Sequence, residues 1–228
     1  TGLASAASNS VTPKTNQTIT FNTPGAQNFG TTPTLTATTT ATGLTPSFTS
    51  STTGVCTITS GGTLTFVTTG TCTIRADQAG NASYLPATPV SRSFAVNAVA
   101  PGAPTAVTGT AGNTQVSVSF TAPTFTGGAS ITGYTVTSSP GGFTKSGASS
   151  PLVVTGLTND TSYSFTVTAT NSAGTGPASS ASSSVTPRAT LPGAPIISSA
   201  TAGNGQASIA FSAPYHGGSA ITGYTVTS

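Results

Sequence analysis

Tryptophan, methionine and glutamate are missing from these 228 residues, and charge of either sign is scarce. Asp77 and Asp160 are the only carboxylate side chains, His216 the only imidazole, and Lys14, Arg75, Arg92, Lys145 and Arg188 the only strong bases. Charged residues make up 3% of the chain, against roughly a quarter of an ordinary soluble domain. Each shortage excludes a class of chemistry. Two well-separated aspartates cannot form the carboxylate pair of a glycoside hydrolase. Asp77 could help to bind an ion, but a lone carboxylate does not make a calcium cage. Two cysteines and one histidine fall short of a structural zinc site. His216 has no acidic neighbour in sequence to orient it as a general base, so it reads as a solvated turn residue, with a binding-loop role as the alternative. The five bases are scattered, whereas nucleic acid calls for a basic face. No run approaches a membrane span. The first residues have neither a basic n-region nor a secretory h-region, so any targeting sequence is expected outside these residues. No enzyme activity, cofactor, nucleic acid or membrane insertion is therefore expected.

What is present is alternation. Val116, Val118 and Phe120 fall on one face of a short run, Tyr134 and Val136 on one face of another, and Tyr163, Phe165, Val167 and Ala169 on one face of a third. Threonine and serine occupy the positions between. Period two with hydroxyls on the alternate face is the pattern of strands that bury one side and wet the other. Several such runs in fewer than about 90 residues, punctuated by Gly, Pro and Asn, predict a two-sheet sandwich.

Residues 101–187 resemble a fibronectin type III domain of the bacterial kind. The opening proline is matched by Pro104, the second strand by 115–120 followed by Pro123, and the third by ITGYTV at 131–136. The fifth and sixth strands are matched by LVVTGL at 152–157 and by 161–171, which runs on into NSAGTGP. The tryptophan usual at the end of the second strand is Phe120 here. A phenyl ring can fill the same place and has no indole N–H to satisfy. The resemblance implies a tyrosine corner over 157–163, with Tyr163 bonding to nearby backbone.

The same unit recurs in part at both ends. TGLASAASNSVTPK at 1–14 aligns without a gap on TGPASSASSSVTPR at 175–188. PGAP at 192–195 repeats PGAP at 101–104, Phe211 repeats Phe120, and ITGYTVTS at 221–228 repeats 131–138 after a one-residue deletion. The expected organisation is 1–14 as the last strand of a preceding type III domain, 15–100 as a different sandwich, 101–188 as a complete type III domain, and 189–228 as the first half of a further one. In its full context Ser228 is expected to be followed by strands like those of 151–169.

Between these units, Ile19 is in phase with Phe21, Leu64 with Phe66, and Phe94 with Val96. Strands are expected at 18–21, 33–37, 55–59, 63–67, 71–75 and 93–96, with Ser60-Gly61-Gly62 turning the central hairpin. VCTITSGGTLTFVTTGTCTI, and the whole stretch from QTITF to SRSFAV, resemble the bacterial immunoglobulin-like (Big/MBG-like) repeats of surface and secreted proteins, at about 15–99. The fold class is thus all-β: tandem immunoglobulin-like and fibronectin type III sandwiches.

Cys56 is in phase with Ile58 and Cys72 with Ile74, so both thiols should point inward from separate strands. A disulfide within the domain is the leading reading, and two buried thiols packing as small hydrophobes is the alternative. A bridge favours an oxidising compartment. Asn16, Asn81 and Asn159 begin N-linked sequons, a short pattern that recurs by chance in a threonine-rich chain. Asp160, in GLTNDTSY, is expected to be a turn residue capping backbone donors.

Two functions fit. One is a non-catalytic structural array: a spacer, or a filament- or sheath-forming scaffold, in a large extracellular or bacterial cell-surface protein. The other is an adhesin or carbohydrate-binding accessory module of a surface protein, secreted enzyme or phage fibre. The partners implied are neighbouring domains of the same chain, identical subunits where the array polymerises, and surface glycans.

Overall fold

The computed structural model describes residues 12–227. The segment 1–11, with most of the expected preceding strand, lies outside them. There are two compact units, one up to Val99 that also takes in Gly127–Ala129, and one from Ala100 onward. No described helix is long and apolar enough to cross a membrane.

In the first unit β1 (Ile19–Thr20) pairs with β3 (Thr38–Thr39), and β5 (Cys56–Ile58) with β6 (Leu64–Phe66). A four-stranded sheet runs in the order β2 (Gln27–Asn28), β8 (Val90–Asn97), β7 (Gly70–Asp77), β4 (Ser47–Ser50). Only β2 lies parallel to its neighbour. Alternation sets the burial: Cys72, Ile74 and Ala76 of β7 and Phe94 and Val96 of β8 face inward. They meet Leu64 and Phe66 of β6 along with Ile19, Phe21 and Phe48. Two aromatic pairs pack edge to face, Phe21 on Phe48 and Phe66 on Phe94, at centroid distances of 5.5 and 6.4 Å, the geometry that ring quadrupoles favour. The β5–β6 turn does fall at Ser60-Gly61-Gly62. Gly62 has φ of 98°, and a Cβ there would run into the Leu35 carbonyl. The expected strand at 33–37 is reduced to a bridge from Thr34 to Thr63. Leu35 donates to the Gly62 carbonyl, but Pro33 brings no N–H with which to extend a ladder.

The second unit holds a complete sandwich. β13 (Leu152–Thr155), β10 (Gln115–Thr121) and β9 (Thr105–Gly112) form one sheet. β12 (Thr144–Gly147), β11 (Gly133–Ser139), β14 (Ser164–Asn171) and β15 (Gly174–Thr175) form the other. Val116, Val118, Phe120, Leu152 and Val154 from the first sheet close on Tyr134, Val136, Phe165, Val167 and Ala169 from the second. Phe120 is buried with them, 9% exposed, with its ring 4.8 Å from that of Tyr134.

The last segment of this sandwich departs from a regular strand. Beyond β15, the N–H groups of Gly176, Ser179, Ser182 and Val185 donate in turn to the carbonyls of Ala169, Val167, Phe165 and Tyr163. The segment advances three residues for every two of β14, so its own carbonyls fall out of step with the β14 N–H groups. Serine side chains make good the difference. Ser179 Oγ accepts from Val167 N–H at 2.9 Å and Ser182 Oγ from Phe165 N–H at 3.0 Å. Each hydroxyl then donates to the carbonyl of the next residue.

After Pro195, β16 (Ile196–Gly203) and β17 (Gln206–Ser212) form a hairpin that repeats β9 and β10. The expected third strand, 221–228, takes no ladder bonds over its described residues. Its counterpart β11 is held on both edges, by β12 and β14, and residues 192–227 contain no equivalent of either.

Replacing Ser179 or Ser182 with Ala strands a buried β14 N–H and should cost about 1–3 kcal/mol each, measured as a lower urea midpoint at unchanged slope. A second substitution should act the other way. Thr114, in the β9–β10 turn, has φ of 53°, and its repeat counterpart Gly205 has φ of 67°. Left-handed backbone is costly for a β-branched residue, so Thr114→Gly should stabilise the domain by about 0.5–1 kcal/mol in the same titration.

Candidate functional site

The strongest covalent feature lies inside the first unit. Cys56 is on β5 and Cys72 on β7, strands of different sheets, and the structure joins them in a disulfide with the Cα atoms 5.7 Å apart. Both residues are fully buried. Hydroxyls bracket the bridge: Ser50 Oγ donates to the Cys56 carbonyl at 2.7 Å, and Thr52 Oγ1 accepts from Thr73 N–H at 2.9 Å. These bonds fix the entry to β5 against β7 without any charged group.

Tyr163 forms the corner that the family resemblance implies. Its hydroxyl accepts from Thr158 N–H at 3.1 Å, and its backbone exchanges two hydrogen bonds with Val185. The cap on the neighbouring hairpin comes from Asn159 rather than from Asp160. Asn159 Oδ1 accepts from Thr114 N–H at 2.9 Å. Asp160 sits at φ of 62°, and its exposed carboxylate lies 4.0 Å from Arg188 Nε.

The three sequon asparagines differ in environment. Asn16 and Asn81 are exposed. Asn81 Oδ1 accepts from the N–H groups of Ser83 and Tyr84, which shapes the turn around it. Asn159 is half-buried, and its amide nitrogen donates to Asn113 Oδ1 at 2.7 Å, so the atom that a glycan would need is engaged within the fold.

The outer sheet faces carry hydroxyls in register. On the second sandwich, Thr144, Thr137 and Thr166 lie in one row across three strands, and Ser146, Thr135 and Thr168 in the next. Thr135 and Ser146 are hydrogen-bonded at 2.9 Å. On the first unit Thr73 and Ser93 are paired at 2.8 Å, and Thr49 lies opposite Arg75, which in turn pairs with Asp77 at 2.6 Å. His216 is exposed, with its Nδ1 accepting from Gly218 N–H at 3.0 Å and its ring stacked on Tyr215. His216, Asp77 and Asp160 are thus each in a separate local setting and make no joint constellation. Sequence reasoning missed Ser179 and Ser182. Their spacing of three was the available signal, masked by the surrounding run of serines.

The family model of the fibronectin type III domain matches residues 100–186, the stretch that builds the β9–β15 sandwich. Such domains are generally structural or binding repeats of surface and extracellular proteins. No curated protein is matched by the sequence. Among solved structures, the chain is similar to titin kinase and its flanking domains, at 26% identity over 40% of this chain and 18% of that chain, with a TM-score of 0.37. A crystal structure of titin domains is 18% identical over 75% of this chain and 65% of that one, at 0.41. A titin module from human cardiac muscle is 28% identical over 39% of this chain and 92% of its own length, at 0.34. The family match and the strand order make residues 100–186 a fibronectin type III sandwich, in a chain whose described residues fold as β-sheet throughout.

The bridge closes a separation of 16 residues, for which the loop-entropy relation gives about 3 kcal/mol. Reduction, or the paired substitution Cys56→Ala and Cys72→Ala, should lower the stability of the first unit by about that amount and leave the β9–β15 sandwich unchanged. Intact mass before and after reduction checks the bond itself, and two free thiols in an unreduced sample would contradict it.

Proposed function

We propose that this chain is a non-catalytic structural repeat region of a large extracellular or bacterial cell-surface protein, acting as a spacer or as a scaffold for a filament or sheath. The observation that supports this most directly is that the two sandwiches have separate cores, one around Phe94 and Leu64 and the other around Phe165 and Val136. Units that each bury their own apolar faces can be strung in tandem without a shared core, so an array can be lengthened by repetition. The outer faces are threonine and serine, and a chain with 3% charged residues meets little like-charge repulsion when packed side by side. The disulfide fits an oxidising compartment.

A carbohydrate-binding accessory role has one observation behind it. Tyr215 is 69% exposed and stacked on His216 at a centroid distance of 5.4 Å, an open aromatic surface of the sort on which a sugar ring can sit. Under this reading Tyr215→Ala abolishes binding.

Small-angle scattering and electron microscopy of the chain should show an elongated string of domains, free or in a regular assembly. A compact particle would count against the array. Saturable binding of one defined glycan, lost in Tyr215→Ala, would replace it with the binding-module reading.

A further inference from the structure

The register of the segment after β15 sorts its serines into two kinds. Ser179 and Ser182 are buried, and each hydroxyl both accepts from a β14 N–H and donates to the next carbonyl. Their neighbours Ser180 and Ser183 are exposed, and the two hydroxyls make no hydrogen bond among the described residues. On the outer sheet face, by contrast, hydroxyls are spent on one another: Thr135 on Ser146 and Thr170 on Thr175, both at 2.9 Å. Beside the two unspent serines the seam between the sheets is open. Ser180, Ala181 and Ser183 face residues 104–107 across a cleft of about 320 Å³, at the small end of the range for ligand sites, roughly 300–1,000 Å³. Its lining holds hydroxyls, methyl groups and a proline ring, and no charge.

We propose that Ser180 and Ser183 are O-glycosylation sites whose sugars cover this cleft. The N–H groups of Ser179, Ser182 and Val185 tie every third residue to β14, which holds the serines between them outward without engaging their hydroxyls. From Thr175 to Pro187 there is no charged side chain and none bulkier than valine, threonine or proline, so the approach of a transferase is unobstructed. In the transfer, the serine Oγ attacks the anomeric carbon of a diphosphate-activated sugar. The new C–O bond forms as the bond from that carbon to the diphosphate oxygen breaks, the diphosphate leaves, and the hydroxyl proton passes to a base of the transferase. A sugar ring carries hydroxyls at its rim and C–H groups on its faces, the same mixture as the cleft lining. A phosphate on these oxygens would instead bring a charge of about −1.5 to −2 into a cleft with no base to pair with it.

Protein purified from its source organism gives the direct test. Trypsin cutting at Lys145 and Arg188 releases residues 146–188 as one peptide, and enzymatic removal of N-linked glycans clears Asn159 from the reading. Electron-transfer fragmentation should then place sugar masses on Ser180 and Ser183 and none on Ser179 or Ser182. In the double variant Ser180→Ala, Ser183→Ala both masses should be lost, while the urea midpoint of the sugar-free chain stays unchanged because neither side chain is packed. A second measurement is independent of the source. The folded chain, incubated with a serine O-glycosyltransferase and its nucleotide-sugar donor, should take up sugar at Ser180 and Ser183 and not at Ser179 or Ser182, and the denatured chain at all four. The proposal fails if the peptide from the source carries no sugar on Ser180 or Ser183, or carries phosphate there instead. It also fails if the folded chain is labelled at Ser179 and Ser182 as readily as at their neighbours.

Discussion

A strand that is apolar on one side only is stable where a second sheet covers that side, and this constraint organises every part of the molecule. Phe165 and Val167 have a place because Val118 and Phe120 come to meet them, and Ile74 and Phe94 because Leu64 and Phe66 do. The constraint acts on alternate residues alone. The others are released from packing, and here they are filled with threonine and serine rather than with charge.

That choice has consequences for how backbone groups are satisfied. Few ionic groups are available, so hydroxyls and amides take up positions at the corners: Ser179 and Ser182 along β14, Tyr163 at its entry, Asn159 over the β9–β10 turn, and Thr52 beside the disulfide. No buried side-chain nitrogen or oxygen among the described residues lacks a partner. Neutral groups do this at low desolvation cost, which explains how a chain so poor in charge can still make sharp turns and irregular edges.

Much of this was legible in the sequence, and the rest was hidden for definable reasons. The inward set of β10, β11 and β14 follows from period two, and the phases of Cys56 and Cys72 placed both sulfurs on the inner side. The internal repeat exposed the relation of Phe211 to Phe120 before any coordinates. What could not be read was geometry that depends on a neighbour. The segment 33–37 has the composition of a strand, but Pro33, which has no N–H to donate, keeps it to one bridge. The segment after β15 looks like a strand by alignment, yet its three-to-two register appears only when β14 is beside it. Asp160 and Asn159 are adjacent and equally suited to capping; the left-handed backbone at Asp160 gives the task to Asn159.

The bridge between β5 and β7 also divides the first unit topologically. The chain enters at Cys56, traverses the β5–β6 hairpin, and returns to the other sulfur at Cys72. A pull on the two ends of this unit is carried from one cysteine to the other through sulfur, so the backbone between them bears no tension. With about 3.3–3.6 Å of reach per residue, those 16 steps withhold roughly 50 Å from the length to which the unit can be drawn out. The oxidised domain is a lasso whose loop stays slack under load, and its maximum extension is set by redox state as well as by residue count.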